Sequence, residues 1–372
     1  MKATGQKLKE WVLKGSVGLT AASILLGFLV GAVILLVAGF NPIEAYWAIL
    51  NGIFSRPKYI SYVIIYSTPL IITGLSVAFA LRTGLFNIGA EGQYIVGAIA
   101  AAMAGYFLHL PMLIHVPVCI GLAAFAAACW GGLAGYIKAR FGVHEVISTI
   151  MLNWTAFYLL NWVVSLKSFG KQGTGKSFMI QETARIDLFG QWKISDMGIE
   201  FIRTHKVWGD ILKTPINIGF LVAIALAFLM WYVLNKTTLG YELRAVGYNP
   251  HAAEYGGINV KKSVVTSMFI AGGIAGTAGA LQVMGVSHRI AKLAVMEGYG
   301  FDGIAVSLIG NNTGAGSVFA GILFGALKYG GSKIQAAMEV PTEIISIMVG
   351  TIILFIAMPG LIRTLFRLKR GK

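Results

Sequence analysis

Two glycine-rich stretches have the spacing of nucleotide chemistry. GKQGTGKS at residues 170–177 reads G-x-x-x-x-G-K-S, a pattern whose backbone N–H groups cradle phosphates. GYGFDG at 298–303 reads G-x-G-x-x-G, the turn that sets a dinucleotide pyrophosphate on a helix N-terminus. Both chemistries need a strand before the glycines and a helix after them. Neither stretch has that setting. LNWVVSLKSF before Gly170 closes an apolar run, FMIQETARIDLFG after Ser177 has no strand–loop–helix pattern, and no strand precedes Gly298. The first stretch reads as a polar, flexible loop. The second reads as glycine that permits an interrupted helix beside a cavity.

A further set stands out because it is polar where its neighbours are apolar: Asn87, Glu91 and Gln93; Asn153; Asp302 and Ser307; Asn311 and Asn312. Polar groups at membrane depth are costly and face the protein interior or a wet cavity. Each has a second reading. Glu91 and Asp302 could cap helices, since a carboxylate is favoured near a helix N-terminus. Asn153 could bridge two helices, and Trp154, Trp162 and Trp208 could anchor at the membrane interface. No His or Cys spacing points to a metal. Cys119 and Cys129 share one apolar run and read as two small buried hydrophobes.

The elements that position these residues follow from composition. The chain has 372 residues, 56% hydrophobic and only 12% charged, about half the charge of a soluble domain. Uncharged runs such as 15–41 and 216–235 approach or exceed the ~20 residues that cross a bilayer as a helix. They lack the alternation of a membrane β-barrel. The expectation is an all-α polytopic membrane protein with ten spans: roughly 16–40, 59–81, 90–108, 112–137, 145–166, 215–235, 263–286, 295–310, 316–332 and 343–361. The first is an uncleaved span, being too long for a signal-peptide core.

The formal net charge of +15 fits inner loops rich in Lys and Arg rather than a nucleic-acid partner. With the N-terminus inside, ten spans place sixteen basic residues on inner segments and six on short outer ones. The inner group includes Lys2, Lys7, Lys9 and Lys14 at one end and Arg363, Arg367, Lys369, Arg370 and Lys372 at the other, so both termini are cytoplasmic. Eight more lie in the loop 167–214, which is external in this topology; long loops follow the rule poorly.

Within this frame, LFNIGAEGQYIVGAIAA (85–101) and MEGYGFDGIAVSLIG (296–310) each follow a Gly-rich apolar run and carry an acid–Gly pair at the mouth of a weak span. They suggest two five-helix halves of opposite orientation, as in many transporters. Small residues recur at spacing four, Gly131/Gly135, Gly272/Gly276 and Gly321/Gly325, and read as tight packing inside one subunit.

The longest inner segment, about 236–262, contains NKTTLGYELRAVGYNPHAAEYGGINVKKS. Asn249 is suited to a helix N-cap and Pro250 to the first helical position, HAAEY continues, and Gly256–Gly257 stop it. The spacing predicts a helix of under two turns along the inner membrane surface. Ala252 and Ala253 give it a slim face that could enter a groove, and Arg244, Lys261 and Lys262 would anchor it near lipid headgroups.

TTLGYELRAVGYNPHAAEYGGI resembles the coupling loop of ABC-importer permeases of the branched-chain amino acid/ribose type. LRTGLFNIGAEGQYIVGA and GFDGIAVSLIGNNTGAGSVFAGILFG resemble two other stretches of that family, and GLFNIGAEGQ is most similar to its nucleoside-import branch. The resemblance implies one permease domain over 1–372 that performs no chemistry and holds no cofactor. ATP is hydrolysed by a separate ATPase subunit that receives the short helix. By match, Arg244, Gly247, Asn249, Pro250, Ala252, Ala253 and Gly257 belong to that coupling element. The resemblance also implies a second, homologous permease subunit, an extracytoplasmic substrate-binding lipoprotein, and a bacterial plasma membrane. Substrate would then meet Asn87, Glu91, Gln93, Asn153, Asp302 and Ser307, whose groups can pair with hydroxyls and base edges, with Phe86, Tyr94, Trp154 and Phe301 available to stack on a base. The competing reading is a proton-coupled secondary transporter, supported by the repeat and the intramembrane carboxylates. Purine or pyrimidine nucleoside, free base and sugar all remain open as substrates.

Overall fold

The structure is a computed structural model that describes residues 16–358. Its helices are α1 Ser16–Val37, α2 Pro42–Phe54, α3 Pro57–Leu81, α4 Ala90–Phe107, α5 Met112–Phe141 and α6 Glu145–Val163. After the long loop come α7 Asp196–Thr204, α8 Lys206–Leu212, α9 Gly219–Lys236, α10 Thr238–Tyr248, α11 Pro250–Tyr255, α12 Val260–Gln282, α13 Tyr299–Ile309, α14 Gly314–Met338 and α15 Thr342–Ala357. The chain is an all-helical, multi-pass membrane protein. A helix falls on every expected span, but five are long and apolar enough to cross a membrane alone: α3, α5, α6, α9 and α12. The pair α1–α2, bent by 120°, makes a sixth if counted as one span. The others fall short in length or apolarity. The basic residues of both termini lie outside the described residues.

Two compact units are present: residues 60–325, and one drawn from the described residues on either side. In the smaller unit, α1 packs on α15 where Gly27 meets the Ile352 backbone and Gly31 meets Met348. The turn into α2 is written locally. Gly39 adopts φ +86°, the Asn41 side chain caps Ile43 N–H at 3.0 Å, and Pro42 takes the first helical position.

In the larger unit α4, α5 and α12 meet backbone to backbone. A Cβ on Gly97 would collide with Gly276, one on Gly272 with the Ala127 carbonyl, and one on Gly279 with the Tyr94 carbonyl. Lipid tails are as apolar as leucine, so close van der Waals contact through small residues must drive such association. All three glycine pairs singled out by their spacing stand against neighbours in this same unit. Cys119 is buried, but Cys129 is exposed, a correction to the reading of both as buried: it points away from the core while Ala127 and Ala128 beside it are buried.

GKQGTGKS forms a two-stranded hairpin, β1 Gly170–Lys171 with β2 Lys176–Ser177. Gly173 and Gly175 supply positive φ in its turn. Ser177 N–H donates to Ile290 O at 2.8 Å, and no helix follows whose N-terminus could face a phosphate.

Candidate functional site

The segment 236–262 folds as its sequence directs. Thr237 opens α10 by accepting Gly240 N–H at 3.1 Å. Asn249 ends α10 and opens α11, its side-chain oxygen accepting His251 N–H at 3.0 Å and Ala252 N–H at 3.1 Å. Gly256 N–H returns to Ala252 O, and Gly257 leaves at φ +82°. α11 has six residues, under two turns. Ala253 is buried beneath it and Ala252 is exposed. Arg244 sits half-buried on α10, Nε to Gly240 O at 3.3 Å. Gly247 is the seat of a close approach, because a Cβ there would collide with the Arg82 carbonyl. Two tyrosines carry more surface than the sequence reading gave them: Tyr248, just before α11, and Tyr255, its last residue, are 87% and 96% exposed. An exposed aromatic beside a predicted docking helix was the available signal.

Arg82 extends this strut. Its guanidinium donates to Asn312 O at 2.9 Å and Asn311 O at 3.3 Å, at the C-terminus of α13. Asn311 and Asn312 both have positive φ, which asparagine tolerates. At the other end of α13, Glu91 is 0% exposed and accepts Gly298 N–H at 2.8 Å and Gly300 N–H at 2.6 Å. A cation at the C-terminus and an anion at the N-terminus both complement the helix dipole. α13 has eleven residues, about 16 Å of helix, half a bilayer core. The N-termini of α4 and α13 thus meet at Glu91.

The remaining expected path residues are mostly committed to this frame. Asn87 and Gln93 exchange side-chain hydrogen bonds at 2.9 and 3.1 Å, and Asn87 also donates to Ser76 Oγ at 3.2 Å. Asn153 spends its amide on the entry to α4, accepting Gly92 N–H at 2.8 Å and donating to Ile88 O at 3.0 Å. Ser307 donates to Asn312 Oδ1 at 2.9 Å. Asp302 is half-buried in the first turn of α13. Tyr94 donates to Glu297 Oε2 at 2.7 Å and lines a separate small recess.

Three expected residues, Asn153, Trp154 and Phe301, do converge. With Phe157, Tyr158 and Met296 they line a cavity of about 540 Å³, the size of a small-molecule pocket. Trp154 and Tyr158 stack with ring centroids 6.1 Å apart. Trp154, Tyr158 and Trp162 recur every four residues on α6 and all are exposed, a stripe the sequence showed but the reading took only in part. The arrangement offers flat apolar faces with few polar groups and no nucleophile–base pair.

No solved structure matches the chain. Guanosine ABC transporter permease protein NupP of Bacillus subtilis (strain 168) is 42% identical over 92% of this chain and 93% of its own length. Nucleoside ABC transporter permease protein NupB of Lactococcus lactis subsp. cremoris (strain MG1363) is 33% identical over 92% and 91%. Guanosine ABC transporter permease protein NupQ, also of Bacillus subtilis (strain 168), is 30% identical over 80% and 90%. Residues 59–357 match the family described as branched-chain amino acid transport system / permease component. That match takes in α11, the Glu91–α13 clasp and the aromatic cavity alike, and the chain is a member of that permease family.

Proposed function

We propose that the chain is the permease subunit of an ATP-driven importer of nucleosides, purine nucleosides first among them, in the plasma membrane of a bacterium. The observation that carries the reading is the 42% identity, over nearly the whole of both chains, to a guanosine permease. The aromatic cavity supports it, because Trp154 and Tyr158 offer the faces on which a base stacks.

On this reading ten spans form two inverted five-helix halves, with both termini cytoplasmic and the hairpin loop outside. Support comes from α4 and α13, which each start after a non-helical segment and meet at their N-termini, as broken helices do at the centre of inverted-repeat transporters. The ATPase subunit binds ATP and receives α11. Its motion reaches the centre through Gly247, the 82–84 backbone, Arg82 and α13, so the two halves rock and open the path alternately. Glu91 speaks against a proton-coupled carrier, since both its oxygens already accept backbone N–H groups. A second, unlike permease is supported by NupP and NupQ, two guanosine permeases of one organism. An extracytoplasmic binding lipoprotein would deliver substrate.

Uptake of tritiated guanosine by cells expressing the chain with its neighbouring ATPase and permease genes tests the proposal. It should require the ATPase and be competed by purine nucleosides more than by ribose or glucose. Uptake that persists without the ATPase but collapses with the proton gradient would overturn it.

A further inference from the structure

Asn161, half-buried on α6, grips one distant residue by both of its peptide groups. Its side-chain oxygen accepts Leu293 N–H at 2.8 Å, and its amide donates to Leu293 O at 3.1 Å. The side chain pairs with Leu293 as a neighbouring strand would. Asn153, about 12 Å away along the same helix axis, makes a grip of the same kind on Gly92 N–H and Ile88 O. One helix therefore clamps the non-helical approaches to both α4 and α13.

The aromatic cavity takes its lining from both clamped segments. Ile88 comes from one, and Ala294, Val295 and Met296 directly follow the other. This second wall has little else to hold it. Before it, Lys292 N–H is tied to Gly175 O at 2.8 Å. After it, Gly298 N–H is tied to Glu91 at 2.8 Å. From Ala294 to Glu297, among the described residues, no peptide group makes a hydrogen bond. A segment without bonds of its own is placed by whatever grips its ends, and a binding site is only as exact as that support. Asn161 is the grip next to the wall, yet neither it nor Leu293 lines the cavity.

We infer that Asn161 is a positioning residue for the cavity. Acting through Leu293, it fixes the Ala294–Met296 wall relative to Trp154 and Tyr158 of α6. It thereby sets the affinity for the flat-ringed ligand that those aromatics take. The inference rests on the importer reading for the identity of that ligand, a nucleoside.

Asn161→Leu keeps the size of the side chain and removes both bonds. A wall that must be ordered on binding lowers affinity. Tritiated guanosine should therefore bind about tenfold more weakly to the full-length variant in lipid nanodiscs. In cells that also express the ATPase and the second permease, the half-saturating guanosine concentration should rise by the same factor. Maximal uptake per folded transporter should stay within about twofold, the signature of lost binding rather than lost turnover. Asn161→Asp keeps the acceptor for Leu293 N–H but turns a carboxylate oxygen toward Leu293 O. It should weaken guanosine severalfold, and it decides the matter if Asn161→Leu does not fold. Wild-type affinity in the folded variants, with or without lower maximal uptake, would overturn the inference and leave the importer reading intact. Guanosine binding that depends on Asn161, in a wild type without ATPase-dependent uptake, would overturn the importer reading instead.

Discussion

The Glu91 carboxylate and the Gly300 amide are joined at 2.6 Å, although 209 positions separate them in the chain. The companion bond to Gly298 makes this a bidentate anion site on a helix N-terminus. GYGFDG has the pattern of a phosphate-binding turn, and here it does hold an anion. The anion is a side chain of the same protein.

The contact is closer than the hydrogen bonds alone require, since a Cβ on Gly300 would collide with the Glu91 backbone. Gly300→Ala should therefore overpack the junction and destabilise the chain by about 1–3 kcal/mol. Glu91→Gln keeps the shape but turns an amide donor toward an N–H donor, at a similar cost of about 1–3 kcal/mol. Thermal unfolding in detergent reads both. An unchanged melting temperature in Gly300→Ala would mean that α4 and α13 do not meet as described.

On α11, stability and coupling can be separated. Asn249 makes two capping bonds, so Asn249→Ala should cost about 0.5–2 kcal/mol. Tyr255 is almost wholly exposed, and Tyr255→Ala should leave the melting temperature unchanged. If α11 seats in the ATPase, that same variant should lower guanosine uptake at least tenfold and weaken co-purification of the ATPase. Normal uptake in Tyr255→Ala and in Ala252→Glu together would remove α11 from the coupling path.

These two cases also show what a sequence can reveal. α11 was legible because its instructions are local: an Asn cap, a Pro at the first position and a Gly–Gly stop within nine residues. A helix on each expected span was legible because apolar length is an average over many residues, although only five, or six with the bent α1–α2 pair, are long and apolar enough to cross a membrane. Glu91 was recognised as a carboxylate that could cap a helix, but not as the cap of α13. Its partner is set by how two broken helices pack, and no spacing in the chain records that. In the sequence Asn87, Gln93 and Asn153 are candidates to face a substrate, and Asn153 equally to bridge helices, because a polar residue at membrane depth needs a partner. In the structure Asn87 and Gln93 pair with each other across six positions and Asn87 also reaches Ser76 on α3, while Asn153 on α6 holds the entry to α4. The cavity lining joins residues the sequence offered, Asn153, Trp154 and Phe301, to apolar neighbours it did not mark, among them Phe157, Tyr158 and Met296.

That cavity makes a third test. Trp154 is 48% exposed, so Trp154→Ala should change the melting temperature little. Stacking of a base on an aromatic ring contributes about 1–3 kcal/mol, so the half-saturating guanosine concentration should rise about 5- to 160-fold. Tyr158→Ala should act in the same direction, and Trp154→Phe should restore most of the loss. Uptake kinetics unchanged in both alanine variants would place the path elsewhere.

The last test uses pH and lies outside the spanning helices. His288 follows the end of α12, half-buried, with Asp187 at 3.5 Å. Burial pushes its proton affinity below the ordinary histidine value; the nearby Asp187 charge opposes this and the Arg185 charge adds to it. The sign follows from linkage. Above the unfolded value of ~6.5 both states are neutral, and the histidine contributes its full stability. As pH falls below that value the unfolded chain takes up the proton first, so stability declines until the lower, folded-state value has been passed. The melting temperature should accordingly hold between pH 8 and 7 and drop from pH 6.5 downward. His288 has φ +53°, a conformation asparagine accepts, so His288→Asn removes the titration without straining the turn. Its melting temperature should decline less than the wild type's over the same range. Parallel declines would place the acid sensitivity on another group, and a decline in His288→Asn steeper than the wild type's would show that folding raises this histidine's proton affinity instead of lowering it.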